Sequence, residues 1–144
     1  MIQPLRIRDF MATNLHTVAP DTEIMSAVKM LVDLDISGLL VTDDSGVLVG
    51  ILTERDCIDV ALQSGYFDEA GGLVQDFMTT NIETIDADVS MMDLAETFTR
   101  APFRRFPVVE DGKLIGLISR RDVLRALSSG AWFSAPAHPK EQSR

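Results

Sequence analysis

The chain aligns with itself. RDFMATNLHTVAPDTEIM (8–25) lies over QDFMTTNIETIDADVSMM (75–92), with identities at Asp9/Asp76, Phe10/Phe77, Met11/Met78, Thr13/Thr80, Asn14/Asn81, Thr17/Thr84, Asp21/Asp88 and Met25/Met92. The register continues through Val41/Val108 and Asp44/Asp111. After a one-residue deletion it resumes at Gly46/Gly112, Leu48/Leu114, Gly50/Gly116, Arg55/Arg121 and Asp56/Asp122. Fixed-period self-similarity of this kind marks a duplicated supersecondary unit, so the fold must be one that two such units can build.

Each unit parses the same way. A short extended piece, Thr17-Val18 or Thr84-Ile85, precedes a helix expected to open at Asp21-Thr22 or at Asp88, residue types that cap helix N-termini. Ile24, Ala27, Val28, Leu31 and Leu34 recur at helical spacing, as do Met91, Leu94, Ala95 and Phe98. A β-hairpin follows: SGLLVTD, the turn Asp44-Ser45-Gly46, then VLVGILT. Its counterpart runs RFPVVE, Asp111-Gly112, KLIGLIS, and aspartate with glycine between apolar runs is a strong hairpin signal. A second helix, near 54–64 and 120–129, closes each unit. The near-continuous apolar strands call for sheets covered on a full face by helices. The expected class is α/β (α+β in some schemes): two β-α-β-β-α repeats packed about a pseudo-twofold axis as one module, with a cleft between them suited to a ligand. Boundaries are read as a first repeat with its lead-in (1–64), a glycine-containing linker (65–74), a second repeat (75–130) and a Pro-rich, polar, frayed tail (131–144).

Bulk properties narrow the function. With 144 residues, 46% of them hydrophobic, the chain can bury a core without disulfide or metal staples. A net charge of −9 argues against a nucleic-acid duplex, which needs clustered Lys and Arg, and against anionic lipid, but leaves room for a small phosphorylated ligand. The single cysteine, Cys57, excludes an internal disulfide and reads as a small buried hydrophobe. MIQPLRIRDF has no apolar signal-peptide core and no run reaches transmembrane length, so a cytoplasmic location is expected. No His/Cys/Asp cluster has metal-ligand spacing, and the glycines do not form a phosphate-binding loop. Of the two histidines, His16 reads as a surface residue beside the first strand and His138 lies in the tail.

GILTERD (50–56) and GLISRRD (116–122) are the two copies of the motif that carries chemistry. Thr53 with Asp56, and Ser119 with Asp122, fit a helix N-terminal capping box. The same geometry also suits a nucleotide. A hydroxyl and free N–H groups at a helix start attract phosphate, a carboxylate accepts from ribose hydroxyls, and Gly50 or Gly116, lacking a Cβ, would let a flat base lie against the strand. Residue chemistry alone leaves cap and nucleotide site both open.

The heptad G-h-h-[ST]-x-x-D, the MxT-N-x-x-T lead-in and PVVEDGKLIGLISRRD together resemble paired cystathionine-β-synthase (CBS) domains, a tandem also known as a Bateman module, over about residues 5–129. The resemblance implies a regulatory module that binds an adenosine-containing ligand, AMP or ATP foremost, with ADP, NAD(H) and S-adenosylmethionine also known in the family, and no catalytic cofactor or metal. Carried over by position, Asp56 and Asp122 would hold ribose hydroxyls, and Thr53 and Ser119 would contact phosphate or ribose. Thr17, Val18, Thr84 and Ile85 would line adenine pockets through their backbone groups. Ser37 and Gly38 would contribute in the first unit and Arg104 and Arg105 in the second, the arginines as phosphate ligands. Arg55, Arg120 and Arg121 are further cationic candidates. Leu40 departs from the pattern, standing where the family places proline. The resemblance also implies a homodimer paired through amphipathic helices, and a chain of two repeats is expected to signal in trans to an unidentified protein target. The competing expectation is an interaction scaffold whose pockets no longer bind. An enzyme is not expected, for want of a base, nucleophile or metal set.

Overall fold

A computed structural model describes residues 5–67 and 71–134. The fold is mixed α/β with two three-stranded sheets, and the chain divides into two compact units. The first comprises Leu15–Ile82 with Gly112–Leu114; the second comprises Met1–Asn14, Glu83–Asp111 and Ile115–Arg144.

The first unit runs β1 (Thr17–Val18), α1 (Ile24–Leu34), β2 (Gly38–Thr42), β3 (Leu48–Thr53), α2 (Glu54–Phe67) and α3 (Val74–Phe77). Its sheet has the order β1-β2-β3. β1 is parallel to β2, with Thr17 opposite Leu40, and β2 is antiparallel to β3, with Gly38 opposite Thr53. The turn is held by Asp43, whose Oδ1 accepts from Ser45 and Val47 N–H at 2.8 and 3.0 Å, and Gly46 supplies the positive φ of 86°. Ile24, Ala27 and Leu31 from α1 meet Leu39, Val41 and Leu52 from the sheet in one core.

The second unit runs from a 3-10 turn (Ile7–Asp9) to β4 (Ile85–Asp86), α4 (Met91–Arg100), β5 (Arg105–Glu110), β6 (Lys113–Ser119), α5 (Arg120–Ser128) and α6 (Ala131–Ser134). The sheet order is β4-β5-β6, with Ile85 parallel and opposite Val108. Asp111 and Gly112 turn the hairpin with φ of 53° and 81°, the left-handed pair that a two-residue turn of this hand requires. Met91, Leu94 and Phe98 pack on Val108 and Ile118, Phe98 stacks on Phe106 at 5.1 Å, and Trp132 of α6 closes over the same core.

The lead-ins cross over. Ile7, ahead of the first repeat, is fully buried in the core of the second unit, and Val74, ahead of the second repeat, is fully buried in the core of the first. Each lead-in also adds a short antiparallel bridge to the sheet it joins. Ala12 and Leu117 exchange N–H···O bonds of 2.9 Å, and Ile51 and Thr79 exchange bonds of 2.9 and 2.8 Å.

Four sequence expectations need correction. Helix α1 is capped by Glu23, which accepts from Met25 N–H, and α4 by Ser90, which accepts from Asp93 N–H. Asp21 and Asp88 sit earlier, in turns such as the one closed by Thr22 N–H to Ala19 carbonyl. Thr84 lies just outside β4. The stretch read as linker, 65–74, begins inside α2 and ends in α3, because Val74 has a core to fill; its residues 68–70 lie outside the described residues. Of the region read as a frayed tail, Ala131–Ser134 is helical, while 135–144, including His138, lies outside the described residues.

Candidate functional site

In each unit the last residue of a strand hands over to a helix, and the candidate residues gather at that junction. Thr53 ends β3 and Glu54 opens α2, whose first N–H reaches back 3.1 Å to the Ser37 carbonyl. Gly38, next along, faces Thr53 across the sheet. The second unit repeats this with Ser119, Arg120 and the Arg104 carbonyl, at 2.9 Å. Ser37, Gly38, Thr53, Arg55 and Asp56 are therefore brought to one sheet end of the first unit, and Arg104, Arg105, Ser119, Arg121 and Asp122 to the matching end of the second.

Both capping boxes are made. Asp56 accepts from Thr53 N–H at 2.9 Å while Thr53 Oγ1 accepts from Asp56 N–H at 3.2 Å. Asp122 accepts from Ser119 N–H at 2.9 Å and from its hydroxyl at 3.1 Å, and Ser119 Oγ accepts from Asp122 N–H at 3.2 Å. The reciprocal bonds satisfy N–H groups that a helix start otherwise leaves without partners.

The two aspartates are not equivalent beyond the cap. Asp56 is half-buried, and the Thr79 hydroxyl donates to it at 3.3 Å. Asp122 is buried, at 8% exposure, and the Arg125 guanidinium rests on its other oxygen. Sequence reading missed both partners. Thr79 aligns with Ala12, so this hydroxyl is the residue by which MTTN differs from MATN, a difference visible in the repeat but not assignable from it.

The glycines play a different part from the one expected. A Cβ on Gly50 would stand 2.4 Å from Met78 Sδ, and one on Gly116 would stand 2.4 Å from Met11 Sδ. The bare strand face is occupied by the lead-in methionine, so these glycines admit protein where a flat base was expected. Val18 and Ile85 turn their side chains into the two cores, while Thr17 and Thr84 are exposed.

Arg55, Arg104, Arg105 and Arg121 are exposed, and their guanidinium groups have no hydrogen-bond or ion-pair partner among the described residues. Arg120 is committed otherwise: it donates to the Phe103 and Ala101 carbonyls at 3.0 and 3.2 Å and lies 6.0 Å over the Phe98 ring. His16 is exposed, its carbonyl accepting from Leu40 N–H. Cys57, half-buried one position after Asp56, has its thiol pushed up in pKa by burial and then by the negative charges of Asp56 and Glu54. Among the described residues no group of three or more His, Cys, Asp or Glu could hold a metal ion, and no helix is long and apolar enough to cross a membrane.

The CBS domain model matches residues 7–63 and 74–129. CBS domain-containing protein CBSX2, chloroplastic, of Arabidopsis thaliana is 32% identical over 148 residues, covering 83% of this chain and 62% of that protein. An uncharacterized protein of Methanocaldococcus jannaschii is 29% identical over 128 residues, covering 89% of this chain and 45% of that one. The chain thus spans about half the length of these curated relatives. The crystal structure of CBSX2 in complex with AMP superposes with a TM-score of 0.72 at 32% identity, covering 87% of this chain and 97% of that one. The CBS domain pair of protein MJ0100, in complex with 5-methylthioadenosine and S-adenosyl-L-methionine, superposes with a TM-score of 0.66 at 25% identity, covering 85% and 98%. Two family matches in tandem and two similar structures of the same fold account for the internal repeat: the chain belongs to the CBS domain family, as a tandem pair.

Proposed function

We propose that this chain is a regulatory module that binds an adenosine-containing ligand at the strand–helix junctions of its repeats and reports occupancy to a protein partner in trans, as a homodimer. One observation carries the reading. Each repeat places a hydroxyl and a carboxylate at a helix start, beside the opening residues of the neighbouring strand, and similar CBS pairs hold AMP, or 5-methylthioadenosine and S-adenosylmethionine. In this reading Asp56 and Asp122 accept from ribose hydroxyls, and Thr53 and Ser119 meet ribose or phosphate. The backbone of Thr17-Val18 and Thr84-Ile85 reads the base, Ser37 and Gly38 contribute beside it, Arg104 and Arg105 are the phosphate ligands, and Arg55 and Arg121 are further cationic candidates. No catalytic role, cofactor, metal, nucleic acid or membrane is assigned.

A second reading, a scaffold that binds no nucleotide, draws on the completed caps and on Met11 and Met78 filling the space beside Gly116 and Gly50. A thermal-shift series with AMP, ADP, ATP, NAD, NADH and S-adenosylmethionine decides between them. A ligand at 100 times its dissociation constant adds about 2.7 kcal/mol to the folded state, worth several degrees of melting temperature. A shift that Asp56→Asn with Asp122→Asn abolishes supports the sensor. Flat curves for all six favour the scaffold.

A further inference from the structure

The two strand–helix junctions match in cap geometry and differ in charge. At the strand openings the first has Ser37 and Gly38 where the second has Arg104 and Arg105. At the helix starts Glu54 stands in the place of Arg120, and one turn further on Asp59 stands in the place of Arg125. All of these charged residues are exposed. Carboxylates outnumber guanidiniums at the first junction, with Glu54, Asp56 and Asp59 against Arg55. At the second, Asp122 stands against Arg104, Arg105, Arg120, Arg121 and Arg125.

The bonding within each junction sharpens the contrast. Asp56 accepts from neutral donors, the Thr53 N–H at 2.9 Å and the Thr79 hydroxyl at 3.3 Å. Among the described residues, Glu54, Asp56 and Asp59 have no ion-pair partner, so the negative charge of this junction is left whole. The carboxylate of the second junction is instead covered. Arg125 rests its guanidinium on one oxygen of Asp122, while the other holds the Ser119 N–H and hydroxyl. Arg120 bonds to the Phe103 and Ala101 carbonyls, which are neutral and leave its charge in place.

We infer that the two junctions divide their ligands by charge: the second takes an adenosine compound that carries phosphate, and the first takes one without phosphate, uncharged or cationic beside the ribose. Phosphate at the second junction gains charge-assisted and bidentate contacts from guanidinium groups that the fold does not use. At the first, the same phosphate would be pressed towards Glu54 and Asp56 as water leaves, a repulsive element that selects against it. A thioether substituent meets no such cost there, and a sulfonium is attracted. This assignment rests on the adenosine-ligand reading and adds which ligand class each repeat takes.

Calorimetry on the intact chain tests it, with ATP, 5-methylthioadenosine and S-adenosylmethionine as probes. ATP and S-adenosylmethionine should bind together, one of each per chain, and saturating ATP should move the S-adenosylmethionine dissociation constant less than twofold. Arg104→Glu with Arg105→Glu should lower ATP affinity at least tenfold relative to 5-methylthioadenosine. Glu54→Arg with Asp59→Arg, which gives the first junction the charges of the second, should admit a second ATP. Salt gives a measure on the unaltered protein. Raising it from about 0.05 M to about 0.5 M should weaken ATP about fivefold or more and 5-methylthioadenosine less than twofold, because only the former is held by charge. ATP displacing S-adenosylmethionine mole for mole, or two equal ATP sites in the unaltered chain, would overturn the division while leaving the adenosine reading standing. No binding of any of the three overturns the adenosine reading itself, and the division with it.

Discussion

Asp56 and Asp122 each do a structural task in this fold, and any ligand role must be separated from it. Replacing Asp56 by alanine leaves the Thr53 N–H and the Thr79 hydroxyl without their acceptor, at a cost of about 1–2 kcal/mol, the range for lost caps. Asp56→Asn keeps an acceptor oxygen and forfeits only the charge at the helix start, about 0.3–1 kcal/mol. Urea titration of the two variants should rank them in that order, while both lose any nucleotide-induced shift. If alanine and asparagine cost the same, the charge and not the acceptor makes the cap. The neighbouring Cys57 gives a pH-dependent readout of the same corner. Burial and the charges of Asp56 and Glu54 raise its pKa, so the native state favours the neutral thiol. Stability from this residue is therefore complete below the unfolded-state pKa, about 8.5, and falls as pH rises through it, because only the unfolded chain then sheds the proton readily. Alkylation of Cys57 in the native protein should reach half-maximal rate at a higher pH than a free peptide thiol. A midpoint at or below 8.5 would mean that Asp56 and the core do not act on the thiol as described.

At the scale of elements, the crossed lead-ins make the sharpest prediction. Ile7 is fully buried against β4, β5 and α4 residues, so Ile7→Ala should cost about 2–5 kcal/mol and a fragment of residues 75–134 should lack a cooperative melt. A fragment with a sharp transition would show the lead-in to be dispensable. Gly50→Ala and Gly116→Ala both force a methionine aside, at about 1–3 kcal/mol. Shortening the methionine should rescue Gly50 more fully, since at Gly116 the Ala12 carbonyl also stands 3.1 Å from the added carbon and cannot swing away. The sequence made the hairpins legible, because Asp111-Gly112 and Asp44-Ser45-Gly46 are local turn chemistry, and it made α1 and α4 legible, because Ile24, Ala27 and Leu31 keep helical spacing. The strand–helix junction with its hydroxyl and carboxylate was legible for the same reason. The partners of Ile7, Val74, Met11 and Met78 were not: each packs on a distant stretch of the chain, as Met11 does beside Gly116 and Met78 beside Gly50, and apolar periodicity says that a side chain is buried without saying under what. Caps at Glu23 and Ser90 were missed because Asp21, a better cap former by type than Glu23, and Asp88, the equal of Ser90, lie just upstream and are absorbed in turns.

For the whole molecule, sensing requires more than binding. A ligand that binds the associated and free forms equally shifts nothing, however tight it is. If AMP or S-adenosylmethionine acts through the homodimer, it must change the self-association constant by some factor, and self-association must then change the ligand's affinity by the same factor. Both sides are measurable on the intact chain: sedimentation with and without saturating ligand gives one, calorimetry below and above the dimer dissociation constant gives the other. We expect equal factors, several-fold or larger. Salt separates this coupling from plain docking for a ligand without phosphate, such as S-adenosylmethionine, because charge contacts between exposed surfaces are screened as the Debye length falls from about 10 Å at 0.1 M to about 3 Å at 1 M, whereas hydrogen bonds to a ribose at a half-buried junction are affected less. High salt should therefore loosen the dimer and lower the apparent ligand affinity by the linked amount only. Ligand binding that ignores both protein concentration and salt would leave the chain a nucleotide binder whose signal does not pass through its own association.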